Sequence, residues 1–214
     1  MINVSGSGEV KVAPNEIYLR VGVETRNETL EEARKQSDDR VSKALAFLKS
    51  KGVLSKDIQT DFISIEPMYE NDVLRMKPSA YIARKSLEVK LVKVDSFESV
   101  MAGLLASGMD NVQGVEFRTS ELRKHRDTAR SMAIRAAREK ADALASDLGV
   151  KRGKVYNISA NEWGGSWNPA GNWGGKMMQN VVQNAGGDAG STETSLSLGQ
   201  ISVSATVNVS FLIE

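Results

Sequence analysis

Residues 200 to 213 constrain the fold more than any other stretch. Ile201, Val203, Ala205, Val207, Val209, Phe211 and Ile213 alternate with Ser202, Ser204, Thr206, Asn208 and Ser210, after Gln200. A period of two sends every apolar side chain to one face of a strand and every hydroxyl or amide to the other. The stretch is therefore a strand with one covered and one solvated face, as in antiparallel sheets.

The same reasoning orders the rest of the chain. Val4, Val10 and Val12 share one face of a first strand, with Gly6 and Gly8 in phase. Glycine on a buried strand face marks a bulge or the close approach of another backbone. Ala13-Pro14-Asn15-Glu16 reads as a turn into a return strand of Ile17, Leu19, Val21 and Val23, so the first unit is expected to be a hairpin. Thr29-Leu30-Glu31-Glu32 fits a capping box, and Leu30, Ala33, Val41, Ala44, Leu45 and Leu48 follow at helical spacing as far as Gly52. The strand from Ile58 to Tyr69 shifts phase at Phe62-Ile63, which predicts a bulge, and Pro67 with Glu70-Asn71-Asp72 ends it. Tyr81, Ala83, Leu87, Val89 and Leu91 mark the next strand. Asp95 and Glu98 form a second cap-like pair before a helix that stops at Gly108, and Val115 and Phe117 mark a further strand. Residues 15–119 thus follow the ferredoxin-like order βαββαβ.

A long helix is expected from about Ser120 to Leu148, closed by Gly149. Its apolar stripe is Leu122, Ala129, Ala133, Ala136, Ala137, Ala141, Leu144 and Leu148, mostly alanine, which permits a close approach to a sheet or helix. Val155, Tyr156 and Ile158 indicate a short strand before the final one. The fold class is α+β: an N-terminal hairpin, a ferredoxin-like βαββαβ portion, an Ala-rich helix and C-terminal antiparallel strands. It is read as a single domain over 1–214, with portions 15–119 and 120–214.

Composition removes several kinds of chemistry. No cysteine means no thiolate nucleophile, zinc ribbon or iron–sulfur ligation. His125 is the only imidazole, so any Ser-His-Asp triad would have to use it, and its place among charges on the helix marks it as an exposed residue rather than a general base. Asp38-Asp39 diverge on their helix and do not suit paired acid–base work. Gly6-Ser7-Gly8 lacks the third glycine and following helix of a dinucleotide site. Val115-Glu116-Phe117-Arg118 falls short of an RNA-recognition motif, and 28 Lys+Arg against 27 Asp+Glu does not describe a polyanion binder, so no nucleic-acid partner is expected. No catalytic residue, cofactor or metal site is assigned.

Two surfaces remain. Arg118, Arg123, Lys124, Arg126, Arg130, Arg135, Arg138 and Lys140 make the long helix basic, and Glu28, Glu31, Glu32, Asp38 and Asp39 make the first helix acidic. The basic face is either solvated or meets anionic lipid, nucleic acid or an acidic subunit surface, and the acidic helix makes a charged subunit interface the best functional option. Arg123, Arg126, Arg130, Glu31 and Glu32 are its candidates. Residues 163–198 hold Trp163, Trp167 and Trp173, the short apolar patch Met177-Met178 and Val181-Val182, and three charged residues, Lys176, Asp188 and Glu193. Such a loop is either disordered or functional. Its tryptophans are candidates for binding a partner, a glycan or a membrane surface, because a large flat ring gives contact area at low entropic cost. This binding module is the alternative to assembly as a function.

No apolar run approaches the ~18 residues of a membrane helix. Met1-Ile2-Asn3-Val4-Ser5 lacks the basic and apolar regions of a signal peptide, which leaves a cytosolic protein or an exported one whose signal has been removed.

A resemblance then connects the pieces. Val4-Ser5-Gly6-Ser7-Gly8-Glu9 with Ala13-Pro14-Asn15, Ile58-Gln59-Thr60 leading to Ile65-Glu66-Pro67-Met68-Tyr69, and Tyr81-Ile82-Ala83 are joined by Gly108 with Val115-Glu116-Phe117. Leu148-Gly149 and Val203-Ser204-Ala205-Thr206-Val207 complete the set. In this order the chain resembles the SIMPL domain family, which includes bacterial periplasmic immunogenic proteins and proteins linked to oxidative-stress defence. The resemblance implies a periplasmic α+β protein that forms large ring-like or channel-like homo-oligomers, serves in envelope or oxidative stress tolerance, meets cell-envelope components and carries no established catalytic residues. The chain departs from the family in its Trp/Gly/Asn insertion.

Overall fold

A computed structural model describes residues 1–69, 78–161 and 199–214. The elements are β1 (Ile2–Val12), β2 (Glu16–Asn27), α1 (Leu30–Ser50), β3 (Ile58–Met68), β4 (Ala80–Leu91), α2 (Phe97–Ala106), β5 (Asn111–Arg118), α3 (Leu122–Asp147), β6 (Arg152–Asn161) and β7 (Ile201–Ile213). They form two compact units, Asn15–Arg118 and Met1–Pro14 with Thr119–Glu214.

The unit Asn15–Arg118 carries a four-stranded sheet in the order β3-β4-β2-β5, all antiparallel, which is the ferredoxin-like arrangement. Period-two patterning buries Ile17, Leu19, Val21 and Val23 of β2 and Leu87, Val89 and Leu91 of β4. Ala33, Ala44 and Leu48 of α1 and Phe97, Val100 and Leu104 of α2 complete this core. Thr29 caps α1, its side chain accepting from the Glu32 amide, and Gly52, at φ +80, turns the chain out. The β3 bulge is present one residue before the expected phase change, with Asp61 the extra residue between Thr60 and Phe62. Asp95 does not cap α2. It lies in a 3-10 turn, Val94–Ser96, and Ser96 stands at the N-cap with its hydroxyl donating back to Lys93 O, so no side chain caps the helix.

The other unit has a three-stranded antiparallel sheet in the order β1-β7-β6. Here the expected hairpin changes partners. Strand, turn and strand are present, but β1 pairs with β7 along its whole length, from Ile2 opposite Phe211 to Val12 opposite Ile201, while β2 pairs with β4 and β5. The strand around Val155 is longer than expected and pairs with β7 through register shifts that leave Tyr156 unmatched between Val155 and Asn157.

The glycines of β1 mark a close approach, and the approaching backbone is that of α3. A Cβ on Gly6 would lie 2.0 Å from Ala133 O, and one on Gly8 would lie 2.1 Å from Ala129 O. The helix answers with Ala129, Ala133, Ala137, Ala141 and Ala145, all buried. The expected stripe is corrected at its leucines: Leu122, Leu144 and Leu148 are exposed, because the face turned to the sheet is the line of alanines and the leucines stand beside that line or at the helix ends.

Two substitutions separate sterics from propensity. Gly6→Val should cost about 3 kcal/mol or more in urea unfolding, since backbone has to move. Gly114→Ala on β5, where an added Cβ meets nothing within 4 Å, should change stability by no more than about 0.5 kcal/mol. Ser37, fully buried on α1, has an unpartnered hydroxyl, and the Ala33 carbonyl one turn back already accepts from Thr25 Oγ1 at 2.6 Å. Ser37→Ala should raise the urea midpoint, by about 1 kcal/mol of stability.

Candidate functional site

The open face of the Asn15–Arg118 sheet is built from the side chains that period two sends away from the helices. Arg20 on β2 meets Asp61 at 2.7 Å and Glu88 at 2.9 Å. Arg84 on β4 meets Glu24 at 2.7 Å and Glu66 at 3.2 Å, and Lys90 meets Glu16 at 2.7 Å. Arg118 lies 4.0 Å over the Tyr18 ring and pairs with Glu116. The face is a ladder of crossed ion pairs. The Ser64 hydroxyl and then Arg84 hold Glu66 below the usual carboxylate range, and Glu24 raises Arg84. On the covered face, a hydrogen bond from Lys85 outweighs burial and holds Asp38 low, with Arg34 assisting.

The edges of the sheets differ from this face. The helix α1 lies over β2 and β4, and α3 lies over β1 and β7. A helix is about 10 Å across and strands are about 4.8 Å apart, so each covers about two strands. Among the described residues these two helices leave the edge strands β3, β5 and β6 outside, and of these β3 and β6 carry the exposed apolar side chains. Phe62 and Ile63 of β3 are 49% and 60% exposed, and Val155 and Ile158 of β6 are 48% and 58% exposed. These edges carry the largest runs of exposed apolar side chains on any strand. Sequence reasoning named the charged helix faces and the tryptophan segment and not these edges, although apolar groups on both faces of Phe62-Ile63 and the irregular phase of Val155-Tyr156-Ile158 were visible signals.

The candidate interface residues fall as follows. Arg123 and Arg126 are exposed on α3, and Arg130 pairs with Asp127 at 2.9 Å on the same helix. Glu31 and Glu32 are exposed in the first turn of α1. Asp38, counted with the acidic face, is already engaged by Lys85 and Arg34. Trp163, Trp167 and Trp173, with Met177, Met178, Val181 and Val182, lie outside the described residues. His125 is half-buried rather than exposed as expected: its side chain is 18% accessible and lies along its own helix toward Glu121 one turn back, with Nε2 3.9 Å from that carboxylate. Among the described residues no His, Asp and Glu cluster could hold a metal ion, and no helix is long and apolar enough to cross a membrane.

Comparison with known proteins follows from the whole chain. The family described as SIMPL, protein of unknown function (DUF541), matches residues 2–211. The chain is 31% identical over 155 residues to the uncharacterized protein YggE of Edwardsiella ictaluri, covering 72% of this chain and 65% of that one. It is 28% identical over 157 residues to YggE of Escherichia coli K12, covering 73% and 64%. It is 25% identical over 163 residues to a 26 kDa periplasmic immunogenic protein of Brucella melitensis, covering 74% and 65%. The chain thus spans slightly less than two thirds of the length of these curated relatives.

The ion pairs set a pH dependence. Asp38 and Glu66 have lowered pKa values in the folded chain, so the stability they contribute is present above the ordinary carboxylate range and is lost as pH falls through and below about 4. The urea midpoint should fall between about pH 5 and pH 3, and Arg84→Met should flatten that fall. An unchanged slope in the variant would show that the Arg84 pairs contribute nothing to it.

Proposed function

The chain belongs to the SIMPL family, and from that membership and the two apolar sheet edges exposed among the described residues we propose that it is a non-enzymatic periplasmic protein that assembles with copies of itself. In this reading the assembly is a ring or channel and serves in tolerance of envelope or oxidative stress.

The observation that carries the reading is the exposure of apolar side chains along β3 and β6. An edge strand offers unpaired backbone N–H and C=O groups, and apolar flanks give a partner strand surface to bury. The periplasmic placement draws support from the Brucella relative, which is named a periplasmic protein. The absence of cysteine and the single histidine leave few side chains for nucleophilic or redox work, which favours a function exercised through surfaces. The stress role rests on the resemblance to the family. The basic face of α3, with Arg123, Arg126 and Arg130, and the acidic Glu31 and Glu32 of α1 supply a second, charged contact between copies.

Light scattering on the purified protein at micromolar concentration should give a mass that is a multiple of one chain, and deleting 163–198 tests the part of that segment in assembly. A monodisperse monomer would overturn the reading.

A further inference from the structure

We propose that β6 of one copy pairs antiparallel with β3 of the next, adding a three-stranded sheet to the edge of a four-stranded one. The proposal rests on the assembly reading above and names its interface.

Among the described residues four strands end the two sheets, and two of them offer a partner strand less. At β1, Lys140 Nζ donates to the Ser5 carbonyl at 2.9 Å, and α3 covers the strand's apolar face. At β5, Val112 is the one large apolar side chain that is exposed, and the two charges, Glu116 and Arg118, are of opposite sign. The remaining edges are opposite in sign. Within its span β3 carries Asp61 and Glu66, which pair with Arg20 and Arg84, and no cation, and β6 carries Arg152, which pairs with Asp142, and Lys154, and no anion.

A single register satisfies both strands. Setting Glu66 opposite Lys154 puts Ile65 opposite Val155. Tyr156 is the extra residue of β6 against β7, and the same bulge carried to the outer edge puts Ser64 opposite Asn157 and Ile63 opposite Ile158. The faces agree as well. Ile63 and Ile65 stand opposite Lys85 and Ala83 of β4, on the side of α1, where Lys85 reaches Asp38. Val155 and Ile158 stand opposite Phe211 and Val209, the side chains buried under α3. Glu66 and Ser64 lie on the ion-paired face with Arg84, and Asn157 lies beside Ser210 on the face of hydroxyls and amides. Ile63 and Ile65 thus meet Ile158 and Val155, and the one charged pair is of opposite sign, while Phe62 falls opposite Ser159 and Tyr156 stands in the bulge.

The charges also select the partner. Pairing β3 with β3 would bring carboxylates together, and pairing β6 with β6 would bring cations together. Only the mixed pairing is complementary. Because it joins two different patches, it is heterologous, and such contacts repeat head to tail into a ring when the rotation closes.

The test uses full-length protein and two charge reversals, Glu66→Lys and Lys154→Glu, with native mass by light scattering and folding checked by circular dichroism. Each variant alone should fall to the mass of one chain. An equimolar mixture should regain the wild-type mass, since the altered β3 of one matches the altered β6 of the other. Glu66 also holds Arg84, so Ile63→Lys, at a position 60% exposed, provides an edge variant that removes no ion pair; it too should lose the assembly. Folded variants that keep the wild-type mass, or a mixture that stays monomeric, would overturn the pairing and assign the edges to another occupant. A monomeric wild type would instead overturn the assembly reading itself.

Discussion

The short contact between α3 and β1 governs half of the structure. The carbonyl oxygens of Ala133 and Ala129 occupy the space where side chains on Gly6 and Gly8 would begin. At that distance the helix can present only methyl groups, which explains a run of five alanines at a spacing of four. Such residues bury little area each, so cohesion in this unit comes from density of contact rather than from large side chains. The larger apolar groups of this core are Ile2 and Val4 on β1, and Val207, Val209 and Phe211 on β7.

That contact also accounts for the partner of β1. The buried face of β1 is built around two glycines and needs a helix pressed against it. The buried face of β2 is built of Ile17, Leu19, Val21 and Val23 and needs helices held away by full side chains. One helical layer cannot satisfy both heights, so the two strands separate into different sheets although only Ala13, Pro14 and Asn15 lie between them. The chain leaves and re-enters the ferredoxin-like unit at one place, where the Asn15 amide donates to the Arg118 carbonyl at 3.0 Å.

What the sequence disclosed and what it concealed divide along the same line. Local signals were legible: the alternation of β7, the Thr29 cap, the glycine stops of the helices, and the glycine phase of β1, which announced a close backbone. Pairing was not, because alternation shows that a segment is a strand without saying which strand lies beside it, and the partner of β1 is about 200 residues away in sequence. Asp95 had cap chemistry, but the 3-10 turn placed Ser96 at the helix start instead. The leucines of the long helix were read as part of its apolar stripe, yet the sheet takes only the line of alanines, and Leu122 and Leu148 fall at the helix ends. Of the candidate interface, Arg123, Arg126, Glu31 and Glu32 are exposed as a charged contact requires, whereas Asp38 was taken up by Lys85, a partner on β4 that no spacing along α1 could reveal.

Helix width sets the remaining features. Among the described residues each sheet has an apolar edge strand beyond the reach of its covering helix, β3 in one and β6 in the other. Lysine and proline are the usual means of blunting an edge. On β3 the single proline, Pro67, stands near the end of the strand, after Phe62, Ile63 and Ile65, and on β6 Lys154 precedes Val155, Tyr156 and Ile158. The apolar stretches between are left open, while a bulge in each, at Asp61 and Tyr156, bends the strand and narrows the set of registers it can accept. The near balance of 28 basic and 27 acidic residues averages over this arrangement. It joins an acidic edge to a basic one, and local sign, rather than net charge, decides which edges tolerate each other's approach.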